Sequence, residues 1–186
     1  MKLFIKNMVC IRCKIVVKSE LQKLGLGYTF LEMGEVELDD MMLPQTHECL
    51  KIALHQSGLE LIYDNKAILI EKTKNLIVQM IHSNEDLPKM KFSCYLSEKL
   101  HYNYTYISNL FSEVKGVTIE HFIIAHKIER VKDLLIYNEL SLSAIADKLL
   151  YRNVTYLSRQ FKKVTGVTPS YFKKMNGKEF ISLESL

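Results

Sequence analysis

The sequence predicts a chain of two parts: an α+β domain over residues 1–66 and an all-α domain over residues 67–176, followed by a flexible tail over 177–186. Three observations carry this reading. Strand and helix signals alternate over about the first 65 residues and give way to helical periodicity alone from about Asn65. Within the helical part, a pattern of two short helices occurs twice. Charge divides near the same boundary: residues 1–70 hold 8 Lys/Arg and 9 Asp/Glu, net −1, whereas residues 71–186 hold 17 and 12, net +5.

The α+β part begins with a short strand, Leu3 to Lys6. Ile15 to Leu24 carries Val17, Leu21 and Leu24 at helical spacing, and Gly25 stops it. Tyr28 to Leu38 reads as two β runs around Gly34, a hairpin signal. Pro44 to Ser57 is helical, with Leu50, Ala53 and Leu54 on one face, and Gly58 ends it before the strand Leu59 to Tyr63. The order βαββαβ predicts the ferredoxin-like arrangement, in which two helices cover one face of a four-stranded antiparallel sheet. Asp64-Asn65 can cap the next helix, whose Leu69, Thr73, Leu76 and Met80 share a stripe, so the two domains are expected to join with little or no linker.

The repeat organises the all-α part. Thr105-Tyr106-Ile107-Ser108-Asn109-Leu110-Phe111, continuing through Val114-Lys115-Gly116-Val117-Thr118, matches Thr155-Tyr156-Leu157-Ser158-Arg159-Gln160-Phe161 and Val164-Thr165-Gly166-Val167-Thr168, 50 residues later. Upstream, Leu96-Ser97-Glu98-Lys99-Leu100-His101-Tyr102 pairs with Ile145-Ala146-Asp147-Lys148-Leu149-Leu150-Tyr151. Each copy reads as a helix, a tight turn and a second helix. The second helix is expected to start after Asn103 or Asn153, to bury Tyr106, Leu110 and Phe111 or Tyr156, Phe161 and Val164, and to stop at Gly116 or Gly166.

The outward positions at the start of each second helix are small and polar: Thr105, Ser108 and Asn109, then Thr155, Ser158 and Arg159. At i, i+3, i+4 spacing such side chains reach base edges and phosphates, and Arg159 suits bidentate contact with guanine. Lys162 and Lys163 add phosphate-binding charge. Between the copies Thr118 to Asn138 carries Ile124, Ile128, Val131 and Leu135 on a stripe. A helix of about 20 residues is about 30 Å long, close to one turn of B-DNA, so it could set two recognition helices into successive major grooves.

Composition excludes several classes. The 48% hydrophobic and 25% charged content with 3 Pro and 7 Gly is that of an ordinary globular chain. No apolar stretch is long enough to span a bilayer, and Met1 to Cys13 lacks the pattern of a signal peptide, so a cytoplasmic location is expected. The four cysteines, Cys10, Cys13, Cys49 and Cys94, are then expected to be reduced, with Cys49 and Cys94 read as isolated core residues. No phosphate-cradling loop, nucleophile elbow or metal-hydrolase helix is present, so the chain is not read as an enzyme.

Over about Glu71 to Met175 the chain resembles the AraC/XylS family of transcription regulators. The resemblance rests on Ser143-Ala144-Ile145-Ala146-Asp147-Lys148-Leu149 and on Tyr156-Leu157-Ser158-Arg159-Gln160-Phe161-Lys162-Lys163-Val164-Thr165-Gly166-Val167-Thr168-Pro169-Ser170-Tyr171-Phe172. It implies a seven-helix double helix-turn-helix domain on double-stranded promoter DNA, with Thr105, Ser108, Asn109, Thr155, Ser158 and Arg159 facing bases, and admits RNA polymerase and a second copy of the chain as further partners. Two departures stand out. Leu150 replaces the usual Gly before the aromatic of the second turn; a Leu at positive φ costs about 1 to 2 kcal/mol, so a differently built turn is expected. Asn109 stands where Arg is frequent, which shifts the expected base preference toward adenine. Many members carry a sugar-binding barrel in front, for which some 65 residues are too few, so a different effector is expected.

Met8-Val9-Cys10-Ile11-Arg12-Cys13, between the first strand and the first helix, resembles the metal loop of heavy-metal-associated domains, with Asn7 in place of Gly. Two thiolates separated by two residues suit Cu(I) or another soft metal ion, or half of a zinc site. A helix N-terminus with Arg12 and Lys14 nearby is expected to lower the thiol pKa, which favours metal binding and oxidation alike. Soft-metal binding, thiol redox sensing and simple packing of Cys10 and Cys13 all stay open on the sequence. The other class of function it leaves is a metal carrier or thiol redox protein whose helices serve protein contacts.

Overall fold

The structure, a computed structural model, describes residues 1–83, 90–137 and 140–175. The expected tail, 177–186, lies outside them. The elements run β1 (Lys2–Lys6), α1 (Ile11–Lys23), β2 (Tyr28–Glu32), β3 (Glu35–Leu38), α2 (Pro44–Gln56), β4 (Glu60–Ile62), α3 (Asn65–His82), α4 (Phe92–Leu100), α5 (Tyr104–Lys115), α6 (Ile119–Tyr137), α7 (Leu142–Lys148) and α8 (Val154–Thr165). Residues 169–175 are also helical.

The four strands form an antiparallel sheet in the order β2-β3-β1-β4, with Leu3 opposite Val36 and Ile5 opposite Leu61. Alternation puts Leu3, Ile5, Val36 and Leu38 on one face, where they pack with Val17 and Leu21 of α1 and Leu50 and Leu54 of α2. Period 2 in the strands and 3.6 in the helices thus select one shared core. The helix α1 begins earlier than the expected Ile15, at Ile11, because Cys10 in extended conformation already serves as its N-cap.

The other face of the sheet carries Phe4, Lys2 and Lys6, and there α3 makes its contacts. Lys72 lies 4.7 Å from the centre of the Phe4 ring and 2.8 Å from Glu35 Oε2. Asn75 Nδ2 donates to Met33 O at 3.2 Å. Gly34, at φ 84, faces α3: a Cβ there would stand 2.5 Å from Asn75 Nδ2. The backbone angle favours glycine, and any β-carbon there would have to push the Asn75 amide aside. Asp64 caps α3 as expected, its Oδ2 accepting from Ala67 N at 2.8 Å. Cys49 and Cys94 are exposed, correcting their reading as core residues: Leu50 and Leu54 define the buried stripe of α2, and Leu96 and Leu100 that of α4, leaving both cysteines on outward faces.

The chain divides into two compact units, residues 1–78 with 91–114, and residues 79–90 with 115–186. The division falls inside α3, which starts at Asn65, and at the end of α5. In the second unit α6 is 19 residues, about 28 Å, and buries Ile119, Ile128, Val131, Leu134 and Leu135. Asn138, the expected end of this connector, lies outside the described residues. Met80, Ile81, Ile145, Ala146, Leu149, Tyr151, Leu157 and Phe161 are buried as well, and Phe161 packs edge-on against Phe172 at 5.5 Å.

Candidate nucleic-acid interface

The first copy of the repeat is α4 and α5. Leu100 ends α4, His101 turns the chain at φ 58, and Asn103 Oδ1 accepts from Thr105 N at 2.8 Å to start α5. The buried stripe of α5 is Ile107, Leu110 and Phe111, and Gly116 ends it at φ 69. That stripe leaves Thr105 and Asn109 exposed and Ser108 half-buried.

The second copy, α7 and α8, repeats this plan within its own unit. Ser141 Oγ caps α7 from Ala144 N at 3.2 Å, and Asn153 Oδ1 caps α8 from Tyr156 N at 2.8 Å. Leu157 and Phe161 are buried, Gly166 closes the helix at φ 82, and Thr155, Arg159, Lys162 and Lys163 are exposed with Ser158 half-buried. Both second helices therefore turn a polar face outward at a capped N-terminus.

Three expected core residues are corrected here. Tyr106 is 46% exposed, Tyr156 50% and Val164 49%. Ile107 and Leu157, one residue on, hold the core positions, and a single step of about 100° carries each tyrosine out of the interior.

The turn before α8 also differs from expectation. Leu150 adopts φ 52, so the turn is built in the usual way despite the missing glycine. Tyr151 N donates to Ala146 O at 2.8 Å and Leu150 N to Asp147 O at 3.0 Å, satisfying the last carbonyls of α7. A residue that the sequence reading missed holds the same end: Lys127 of α6 donates to Leu149 O at 2.7 Å and lies 5.1 Å from the centre of the Tyr151 ring. Burial lowers the Lys127 pKa to about 8. Burial first, and then the neighbouring Tyr156, raise the Tyr151 phenol above its ordinary range. The signal was present, because Ile124, Lys127, Ile128 and Val131 follow i, i+3, i+4, i+7 spacing and put a cation on an apolar stripe.

Residues 96–175 match a family model described as a helix-turn-helix domain. Residues 96–175 are a helix-turn-helix domain. The match begins after Tyr95, so Glu71 to Tyr95 of the stretch compared with the AraC/XylS family lie outside it. Among solved structures, the chain is similar to the C-terminal domain of AraT, a response regulator from Geobacillus stearothermophilus, at 21% identity over 60% of this chain and 88% of that one, TM-score 0.49. It is similar to the C-terminal domain of the two-component response regulator yesN from Fusobacterium nucleatum at 28% identity over 55% and 98%, TM-score 0.46. A protein of unknown function from Listeria innocua is 30% identical over 46% and 81%, TM-score 0.42. No curated protein matches.

Outside the helix-turn-helix domain, Cys10 and Cys13 come together at the start of α1. Their Sγ atoms are 3.4 Å apart, and Cys13 Sγ lies 3.8 Å from Asn7 O. Asn7, at φ 68, makes the turn at the end of β1 where the resembled loop has Gly, and Asn tolerates that region better than most residues. The Cys10 thiol is held below its ordinary pKa by the Cys13 backbone N–H, then by the Cys13 thiol, with smaller help from the Arg12 N–H and charge. Lys14 does not take the part expected of it, since it pairs with Glu32 at 3.0 Å. Among the described residues no group of three His, Cys, Asp or Glu could hold a metal. The two thiols fit a two-coordinate soft ion, and the described residues bring no further ligands to them for a four-ligand zinc site. Among the described residues no helix is long and apolar enough to cross a membrane.

Proposed function

We propose that the chain is a sequence-specific, non-enzymatic DNA-binding transcription regulator of the AraC type, acting in the cytoplasm, with α5 and α8 as its recognition helices in successive major grooves. Thr105, Ser108, Asn109, Thr155, Ser158 and Arg159 face bases, and Lys162 and Lys163 meet phosphates. The observation that carries this reading is the face of α8, where Arg159, Lys162 and Lys163 are all exposed on a helix capped by Asn153. Arg offers the bidentate fork that guanine fits, and the lysines the charge that releases counterions. Double-stranded promoter DNA is the main partner, with RNA polymerase and a second copy of the chain as protein partners.

The domains of this reading are 1–66, a ferredoxin-like, heavy-metal-associated-like sensor, and 67–176, the DNA-binding part. What supports the sensor is the βαββαβ element order with two thiols 3.4 Å apart at the first strand–helix junction. Such a pair takes one soft ion such as Cu(I) between two thiolates, or gives two electrons and two protons to an oxidant and closes as a disulfide.

The test uses the full chain and duplexes selected by it from a random pool. Anisotropy titrations should show preference for selected over random duplex, with log affinity falling by roughly 0.9 per phosphate contacted for each tenfold rise in salt. No enrichment from the pool, or equal affinity for selected and random duplex, would overturn the proposal.

A further inference from the structure

In the first copy Tyr102 and Tyr106 are 50% and 46% exposed, and their rings stack at 5.7 Å with 22° between planes. Two aromatic rings held together in solvent at the head of a recognition helix form an apolar, immobilised surface. It adjoins the polar face, because Tyr106 follows Thr105 and stands one turn before Asn109.

The second copy fills the corresponding stripe differently. Around Tyr156, positions four before, three after and seven after hold Arg152, Arg159 and Lys163, all exposed. Around Tyr106 the same positions hold Tyr102, Asn109 and Glu113. The α8 stripe is cationic, and its Arg152 and Lys163 suit the phosphates that flank the base read by Arg159. The α5 stripe has no cation and one carboxylate, which disfavours phosphate and leaves base edges as the feature it can meet.

From this we infer that Tyr106, fixed by Tyr102, is a specificity-determining residue that reads the 5-methyl group of thymine in the major groove. The inference rests on the DNA-reading function proposed above. The thymine methyl is the apolar feature a base pair presents there, and Asn109 beside the ring suits adenine N6 and N7. Residues three apart on a helix are separated by about 4.5 Å along its axis, comparable with the roughly 3.4 Å step between bases on one strand, so the two side chains meet neighbouring base pairs. The half-site of α5 is accordingly rich in A·T pairs.

The experiment replaces each thymine of the selected duplex with deoxyuridine, which lacks only the methyl, and measures binding of the full chain and of Tyr106→Ala, Tyr106→Phe and Tyr102→Ala. At one or more positions in the α5 half-site the wild type should lose about fourfold in affinity, the factor that one buried methyl corresponds to. Tyr106→Ala should bind the thymine duplex at least about fourfold more weakly and show no further loss at that position on the uracil duplex. Tyr106→Phe should keep the sensitivity, and Tyr102→Ala should reduce it. If Tyr106→Ala keeps full affinity, or remains as sensitive to uracil as the wild type, the inference falls while the DNA-reading function stands. Loss in Tyr106→Phe equal to that in Tyr106→Ala would make the hydroxyl the contact and overturn it too. A pool that yields no enriched duplex removes the reading it rests on.

Discussion

Leu150 sits at φ 52 in the turn between α7 and α8, where a β-carbon is crowded against the following carbonyl. That strain is about 1 to 2 kcal/mol, and glycine escapes it. The side chain is 44% exposed, so its removal forfeits about half of the roughly 2 kcal/mol that a fully buried leucine contributes. Leu150→Ala keeps the strain and loses the contact, and should destabilise by about 1 kcal/mol. Leu150→Gly loses the same contact, sheds the strain and incurs about 0.5 to 1 kcal/mol of unfolded-chain entropy. It should therefore be about 0.5 to 1 kcal/mol more stable than the alanine variant, near the wild type. In calorimetry of the full chain this separates the two by a few degrees in Tm at most, glycine above alanine. At a site inside a helix the order is reversed by about 1 kcal/mol, so the sign alone is decisive. An alanine variant as stable as the glycine variant would show that Leu150 is not strained in solution and that the turn is built in another way.

Three further outcomes are expected. Arg159→Ala should cost about 1 to 3 kcal/mol on the selected duplex and relax choice at one base pair, whereas Lys163→Ala should weaken all duplexes alike; equal loss on every sequence for Arg159→Ala would make it a phosphate contact. Lys127 has a folded-state pKa of about 8 against 10.5 when free, so its neutral form is the one the fold prefers. The stability it gives is full above about pH 10.5 and is lost as pH falls through about 8; Lys127→Met should flatten the rise in stability of the wild type over that window, and parallel pH profiles would refute this. The reduced full chain should bind about one Cu(I), monitored by competition with a chromophoric chelator, and Cys10→Ser with Cys13→Ser should abolish binding while DNA affinity of the metal-free protein survives. Retained binding in the double variant would remove the thiols from the site.

The positions of most elements were legible because their periodicities are local. Val17 and Leu21, Leu50 and Leu54, and the two Asn caps each depend on residues within a turn or two, and the structure has them in those roles. Facing was less legible for the aromatic residues. Tyr106 and Tyr156 belong by hydropathy to the interior, yet Ile107 and Leu157 occupy it, because a side chain one position along lies about 100° away and i, i+3, i+4 spacing through Leu110 and Phe111 selects Ile107. Contacts across long separations left no local trace. Asn75 against Gly34 and Lys127 against Leu149 join residues 41 and 22 apart, and the tight glycine and the cation on an apolar stripe acquire meaning only once the partner is known.

The difference between the two copies follows from one residue. The paired segments are offset by 49 positions up to Tyr102 and Tyr151 and by 50 from Thr105 and Thr155, so the second turn is one residue longer. After Tyr151 the chain has Arg152 and Asn153 before α8 begins, which lets the tyrosine fold inward, 8% exposed, over Lys127 while Arg152 stands in solvent. After Tyr102 only Asn103 intervenes, and Tyr102 stacks on Tyr106 in solvent, whereas Tyr151 meets Tyr156 at 6.2 Å from its buried place over Lys127. The insertion thus converts an exposed aromatic pair into an anchored turn with an added cation. If that is the cause, deleting Arg152 should release Tyr151 from Lys127 and carry it, with its neighbour Tyr156, into solvent, and the fluorescence of this tryptophan-free chain offers a direct measure: added quencher should reach more of the tyrosine emission than in the wild type. The deletion should also return Lys127 toward its ordinary pKa, since the ring that covers it would be gone, and so weaken the rise in stability above pH 8. Quenching and pH profile both unchanged would mean that Tyr151 stays over Lys127 whatever the turn length, and that the asymmetry arises from the side chains packed around each tyrosine.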